Sequence, residues 1–204
     1  MNYFTIRGEA QAEYEIQRSV FICSVKGIES FDEGMEFVKA VSKRYSDATH
    51  NCYAVISVSG EQKFSDDGEP QGTAGMPILQ VLKKNGLNLV ACVVTRYFGG
   101  IKLGAGGLVS AYTKSAVDGI NASTIVEMKE SEVFTVSANY SDYEPLLRIL
   151  DKFGATVTDR NYGSDIKVTF SIPLGAIEVL KNKISESFNG KLKLNFIKKA
   201  YMAY

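Results

Sequence analysis

The stretch VFTVSANYSDYEPLLRILDKFGATVTDRNYGSDIKVTFSIP, residues 133–173, decides the fold of the C-terminal part of the chain. Its periodicity predicts a strand, a helix and two further strands, with Gly154 ending the helix. A second helix at 176–188, AIEVLKNKISESF, and a last strand at 191–202, KLKLNFIKKAYM, complete the order βαββαβ. This is the order of the ferredoxin-like fold. The sequence therefore predicts a ferredoxin-like domain over residues 131–204.

Residues 1–130 have a different character, because strands and helices alternate there around glycine-rich loops. The patterns predict strands at 3–6, 12–16, 19–25, 51–58 and 87–95, and helices at 31–45, 77–82 and 108–120. Residues 60–75 are rich in Gly, Asp, Ser and Pro and are predicted to form a long loop. The expectation is an α+β protein of two domains, 1–130 and 131–204.

Composition excludes several classes of protein. The chain has 204 residues, and its 23 basic side chains balance 23 acidic ones, so bulk charge does not make it a nucleic-acid coat. Hydrophobic residues make up 45%, which is too many for a disordered chain. No apolar run approaches the roughly 20 residues of a spanning helix, and Glu9, Glu13 and Glu15 stand where a signal peptide would be apolar. A cytoplasmic protein without membrane contact is expected.

The glycine-rich stretch TRYFGGIKLGAGG at 95–107 lies between an apolar strand and a helix. Glycines allow backbone N–H groups to approach a ligand, and a helix N-terminus favours an anion. Arg96 and Lys102 add positive charge, so a phosphate, a carboxylate or a nucleic-acid backbone would suit the stretch. It matches neither the P-loop nor the dinucleotide-binding fingerprint. The alternative is a tight turn with close helix packing.

The stretch SDDGEPQGTAG at 65–75 places three carboxylates, Asp66, Asp67 and Glu69, within four positions. They could bind a hard cation or supply a general base, although the spacing is not that of an EF-hand. The favoured interpretation is structural: solvated acids in a turn, or an acid that pairs with Arg96 or Lys102 and holds the two loops together. We therefore assign no metal and no cofactor.

His50 is the single histidine and stands two residues before Cys52, which would place both side chains on one face of a strand. A histidine–cysteine dyad is one hypothesis; a hydrogen-bonded histidine beside a buried, reduced thiol is the favoured one. Five aromatic residues could stack on bases, but aromatic side chains fill cores more often; they are Tyr3, Phe4, Tyr97, Phe98 and Tyr112.

The motifs DATHNCYA at 47–54, DDGEPQGTAGMPIL at 66–79 and VVTRYFGGIKLGAGGLV at 94–109 resemble those of the IMPACT family. The resemblance implies an N-terminal α/β sandwich like the second domain of ribosomal protein S-five, in which a left-handed crossover can occur. It also implies a C-terminal domain like the last domain of elongation factor G, in agreement with the βαββαβ order. Eukaryotic relatives regulate translation through an additional N-terminal RWD domain, and the resemblance found here does not extend to that domain.

The resemblance also implies which positions form a binding surface, without establishing a catalytic role for any of them. These positions are His50, Asn51, Asp66, Asp67, Glu69, Thr73, Arg96, Tyr97, Gly99, Gly100, Lys102, Gly104, Gly106 and Gly107. Gly68, Pro70 and Gly75 belong to the same motifs. Ser110 stands where an arginine is usual in the family, which removes one basic group from the anion hypothesis.

Three functions remain open from the sequence. The first, which we favour, is a non-enzymatic, translation-linked binding protein that engages RNA, the ribosome or a translation-associated protein. Its lysine-rich C-terminal segment would add affinity, unless those lysines only line the solvent face of an edge strand. The second is an enzyme acting on a small phosphorylated or carboxylated ligand, with Asp67 or Glu69 as base and His50 as acid–base partner. The third is a protein adaptor that docks through its acidic loop.

Overall fold

The computed structural model describes residues 2–204 and divides them into two compact α+β units. One unit is Tyr3–Val126, and the other is Glu127–Tyr204 together with Asn2. The division falls four residues before the boundary that the sequence pattern predicted. Among residues 2–204, no helix is both long enough and apolar enough to cross a membrane.

The N-terminal unit is built around a five-stranded sheet. Its elements are β1 Tyr3–Ile6, β2 Glu9–Ile16, β3 Ser19–Gly27, α1 Phe31–Arg44, β4 His50–Ile56, β5 Gln62–Ser65, α2 Gly75–Lys84, β6 Val90–Tyr97 and α3 Gly104–Asn121. The strand order is β2-β3-β6-β4-β5, and every neighbouring pair is antiparallel. The strands β3 and β4, which α1 connects, are therefore parallel to each other with β6 between them.

Strand β6 is central to this unit and is buried on both faces, as its nearly continuous apolar sequence predicts. Cys92 and Val94 belong to a core cluster that contains residues of α2 and α3. Ala91 and Val93 face a second cluster, formed with α1. Because side chains alternate along a strand, Arg96 at the end of β6 lies on the α2–α3 side of the sheet.

Several predicted boundaries need correction. The prediction of an uninterrupted loop over 60–75 is wrong, because β5 lies inside it. That strand has only four residues at the sheet edge, all exposed or half-buried, so its sequence carries no apolar alternation. Helix α3 begins at Gly104 and not at Leu108, so the second half of the glycine-rich stretch is helical.

The C-terminal unit confirms the βαββαβ order. Its elements are β7 Ile125–Ala138, which begins two residues before the division, α4 Tyr140–Lys152, β8 Thr156–Tyr162, β9 Ile166–Pro173, α5 Ile177–Ser187 and β10 Asn195–Ala203. The strands β10, β7, β9 and β8 lie side by side and antiparallel in that order. Apolar residues of α4 and α5, including Leu146 and Leu180, form one core cluster with those of the sheet. The last strand begins later than predicted, so Lys191 and Lys193 precede it and only Lys198 and Lys199 lie on it.

Candidate functional site

A buried ion pair joins the acidic loop to the end of β6. Arg96 Nη1 donates to Glu69 Oε1 over 2.7 Å, and the two side chains are only 6% and 3% exposed. The hydroxyl of Tyr112, on α3, donates to the same carboxylate oxygen over 2.8 Å. Glu69 therefore ties together the acidic loop, the central strand and α3. This is the acid–arginine pairing that the sequence offered as the structural explanation of both charged loops.

The remainder of the arginine side chain is also enclosed. Its guanidinium carbon lies 5.4 Å from the ring centroid of Phe21 and 5.3 Å from that of Phe98. Arg96 Nη2 donates to Ser19 Oγ over 3.4 Å. Arg96 Nε is buried and has no hydrogen-bond partner among the described residues. Arg96 therefore serves first as a buried structural cation.

The other two acidic residues of the loop are occupied by backbone amides. Asp66 accepts hydrogen bonds from the N–H groups of Gly72, Ala74 and Gly75 at 2.8–3.0 Å. Asp67 Oδ2 accepts from the N–H of Asn51 over 2.6 Å. These bonds fold the loop onto β4 and the start of α2. Within the part of the chain that the structure describes, no three His, Cys, Asp or Glu side chains come together as a metal site.

The surroundings of Asp66 make stability depend on pH. Burial by itself raises the pKa of the Asp66 carboxyl, but the amides of Gly72, Gly75 and Ala74 outweigh burial and leave the pKa below its usual value. Because the folded-state pKa is the lower one, the stabilisation is complete above the unfolded-state pKa of about 3.9. It is lost as the pH falls through the folded-state value.

Asp66→Asn is therefore expected to lower the free energy of unfolding at pH 7 by about 1–2 kcal/mol, because a charged acceptor of three N–H groups is lost. Urea unfolding at pH 7 and at about pH 3 measures this, with the exposed Asp159→Asn as control. The variant should also lose part of the wild type's acid sensitivity between those two pH values. An unchanged pH dependence would contradict the assignment.

His50 is held so that one ring nitrogen is left available. Its Nδ1 lies 2.7 Å from the carbonyl oxygen of Asp67, which can only accept, so Nδ1 carries the proton. In the neutral ring Nε2 is then unprotonated, and it lies 3.9 Å from Glu69 Oε2. A neutral ring would therefore present a proton acceptor beside the buried carboxylate, and a protonated ring would pair with that carboxylate.

Cys52 does not form a reactive dyad with His50. Its thiol donates to the carbonyl oxygen of Asp66 over 2.9 Å and lies 3.4 Å from the hydroxyl oxygen of Tyr112. Burial, with a contribution from the neighbouring carboxylates, raises the pKa of the Cys52 thiol to about 12. At neutral pH the sulfur is a protonated hydrogen-bond donor, and the favoured hypothesis of a buried thiol is the one that fits.

A cleft of about 420 Å³ lies next to these groups in the N-terminal unit. Five of the predicted site residues line it: His50, Glu69, Arg96, Lys102 and Gly104. The remaining lining residues are Thr49, Pro70, Phe98, Leu103, Ala105 and Leu108. Helix α3 begins at this cleft, and no side chain caps its first turn because Leu103 occupies the N-cap position. The backbone N–H groups of that turn are therefore available to an anion.

The other predicted residues have structural roles beside the cleft. The side-chain oxygen of Asn51 accepts from the hydroxyl of Thr95 over 2.7 Å. Its NH₂ group donates to the carbonyl oxygen of Tyr45 over 3.1 Å. Thr73 closes a turn on the carbonyl of Pro70. The hydroxyl of Tyr97 donates to Asp47 over 2.9 Å. These residues position the loops and do not line the cleft.

Among the predicted glycines, Gly104 lines the cleft and the others shape the loop and the start of α3. Gly99 packs against the backbone of Arg18, and Gly100 and Gly104 adopt φ of +85° and +73°. Gly106 and Gly107 lie in the first turn of α3. Sequence reasoning did not assign Phe98 to the cleft or Tyr112 to Glu69, although both stand within or beside the glycine-rich motif.

Comparison with known proteins agrees with this architecture. Residues 17–120 match the model described as the Impact N-terminal domain, and residues 136–191 match a domain of unknown function, DUF1949. The chain belongs to the IMPACT family. It is 37% identical to the IMPACT family member YvyE of Bacillus subtilis, over 93% of this chain and 88% of that protein.

Other members of the family are more distant or match a shorter region. The IMPACT family member YigZ of Escherichia coli is 29% identical over 88% of this chain and 90% of that protein. A Thermus thermophilus family member is 45% identical over 52% of this chain and 56% of that protein. A crystal structure of a hypothetical protein superposes with a TM-score of 0.63 at 27% identity, covering 97% of this chain and 98% of that one.

Proposed function

We propose that this IMPACT family member is a non-enzymatic, translation-linked binding protein that receives a phosphate of RNA, on the ribosome or on a structured RNA, at the start of α3. The observation that carries the proposal is the cleft of about 420 Å³ at an uncapped helix N-terminus. Lys102 lines the same cleft and is exposed. A helix N-terminus and a lysine together favour a phosphate group. The translational role follows the resemblance to the family.

The internal use of the acidic residues argues for an anionic rather than a cationic partner. Asp66 and Glu69 are engaged by backbone amides and by Arg96, so they do not form a free acidic docking surface. At the cleft, the positive groups not paired with a carboxylate are Lys102 and the amides at the start of α3. An adaptor that docks through its acidic loop is accordingly less well supported than RNA binding.

Ribosome co-sedimentation from native lysate tests this function. It is run at low and high salt, with and without nuclease, for wild type, Lys102→Ala and the control Lys84→Ala, an exposed lysine at the end of α2. We expect salt-sensitive sedimentation that weakens in Lys102→Ala and is unchanged in Lys84→Ala. With purified RNA, the slope of log K against log salt should fall by about one for the lost phosphate contact. The proposal would be refuted if the protein does not sediment with ribosomes, or if Lys102→Ala sediments as the wild type does.

A second candidate function, an enzyme acting on a small phosphorylated or carboxylated ligand, is favoured by one observation. In its neutral form, the His50 ring would present Nε2 as an acceptor beside Glu69 while its Nδ1 donates to the Asp67 carbonyl. Asp67 and Glu69 are already engaged, so His50 replaces them as the base in this mechanism. A metabolite screen with thermal-shift readout, followed by turnover assays, tests it. His50→Asn keeps a short amide donor for the carbonyl and should abolish any turnover.

A further inference from the structure

The cleft is large enough for more than a phosphate group. Its volume of about 420 Å³ lies within the roughly 300–1,000 Å³ range of small-ligand pockets. Its lining also combines two kinds of surface. Polar groups are supplied by His50, Lys102 and the start of α3, and apolar surface is supplied by Phe98, Leu103 and Leu108. A bare phosphate would leave the apolar part without a partner.

Phe98 is the distinctive element of the apolar wall. Its side chain remains 46% exposed, whereas Phe21 and Tyr112 in the adjacent core are fully buried. Its backbone is fixed, because the N–H of Phe98 donates to Thr49 Oγ1 over 3.1 Å. A half-exposed aromatic ring on a fixed backbone offers a surface on which a planar heterocycle can stack.

The charges at the cleft suit a phosphate ester. Glu69 is the acidic residue that lines it, and its carboxylate is offset by the guanidinium of Arg96. Lys102 and the positive end of α3 are not offset in this way, so the surplus charge is positive. Arg96, 5% exposed, also lines the cleft, and its Nε–H has no acceptor among the described residues. A buried donor without a partner is unfavourable, and a ligand oxygen would satisfy it.

We propose that the cleft binds a nucleoside phosphate, with its base against Phe98 and its phosphate between Lys102 and the start of α3. The source is either a free nucleotide or the terminal nucleotide of an RNA, since both present the same ring and phosphate. This inference rests on the proposed function for the position of the phosphate. It adds the class of ligand, because only a molecule with both a ring and an anionic group would contact the apolar and the positive parts of the lining.

Isothermal titration calorimetry on the intact 204-residue chain tests the ligand class. The probes are adenosine and guanosine monophosphate, adenosine, inorganic phosphate, and a short RNA with and without a terminal phosphate. We expect a nucleoside monophosphate or the phosphorylated RNA to bind more tightly than adenosine or inorganic phosphate. Binding of the free nucleotides identifies a nucleotide-binding protein, and binding of the phosphorylated RNA alone identifies an RNA-end-binding protein.

Variants of Phe98 separate stacking from charge. Phe98→Ala and Phe98→Leu should each weaken binding at least roughly fivefold, since base stacking on an aromatic side chain is lost. The leucine variant keeps an apolar side chain beside Arg96, so it disturbs folding less than the alanine variant while removing the ring. Phe4→Ala is the matched control, because Phe4 is also 46% exposed. Lys102→Ala should weaken the binding of nucleotides and of inorganic phosphate to the same extent.

The outcomes distinguish this inference from the proposed function. If no probe binds, or if inorganic phosphate binds as tightly as the nucleotides and Phe98→Leu has no effect, the nucleoside phosphate site is refuted. Ribosome co-sedimentation that depends on Lys102 would then still support the proposed function. Conversely, nucleotide binding that depends on Phe98, without any sedimentation, would support the site and refute the translational role.

Discussion

Arg96→Met is expected to lower the free energy of unfolding by about 3–5 kcal/mol. The substitution leaves Glu69, whose side chain is 3% exposed, as a buried carboxylate without a cation. The Tyr112 hydroxyl alone cannot replace that charge. Chemical unfolding in urea, followed by circular dichroism, measures the loss. The large cost means that Arg96 variants report on folding and should not be used to test ligand binding.

Two further variants make this prediction specific. Arg44→Met removes an exposed arginine whose partner Glu9 is 3.5 Å away, with side chains 52% and 41% exposed, and should cost less than about 1 kcal/mol. Adding Glu69→Gln to Arg96→Met should recover much of the loss, because the amide keeps an acceptor for Tyr112 and carries no charge. A cost for Arg96→Met equal to that for Arg44→Met would show that the ion pair contributes little.

Gly99→Ala is expected to destabilise the protein by about 3 kcal/mol, the upper part of the range for overpacking. A Cβ at this position would lie 2.0 Å from the carbonyl carbon of Arg18 and 2.4 Å from the nitrogen of Ser19. Both are backbone atoms, so the glycine-rich loop or the β2–β3 turn must move. The same movement would break the hydrogen bond from the Gly99 N–H to Ser19 Oγ.

Gly106→Ala is the matched control for the loop, and thermal unfolding compares the two variants. Gly106 lies in the first turn of α3, and a Cβ there meets no heavy atom within 4 Å. Alanine is the better helix former, so this change should stabilise the protein by up to about 1 kcal/mol. Equal effects of the two substitutions would contradict the close packing of Gly99 against Arg18.

The elements with a strong apolar period were predictable from the sequence. The C-terminal βαββαβ order and the buried central strand β6 both follow from the spacing of the apolar residues that must be buried. Helix α1 was predicted at 31–45, and the hydroxyl of Ser30, just before it, accepts from the N–H of Glu33 over 3.2 Å. Strand β5 was not predictable, because it has four residues at the sheet edge and Phe64 is its one apolar residue. It is held by backbone pairing with β4 and not by burial of its side chains.

The site was predictable in its residues and less so in their roles. The motifs identified the loops that meet at the cleft, and the pairing of Glu69 with Arg96 was one of the alternatives considered. Sequence spacing could not show that Asp66 and Asp67 would be occupied by nearby amides, since that depends on the course of the loop. Nor could it show that Phe98 stays half exposed while Tyr112 is buried, because both are equally suited to a core.

The burial of all three cysteines gives the chain a built-in reporter of local opening. Cys23, Cys52 and Cys92 belong to the N-terminal unit, and the thiols of Cys23 and Cys92 lie 3.5 Å apart in its core. The remaining residues, 127–204, contain no cysteine. A thiol-specific reagent therefore reacts only when the half that carries the cleft opens. Labelling rates would assign a stability change to that half without introducing any probe.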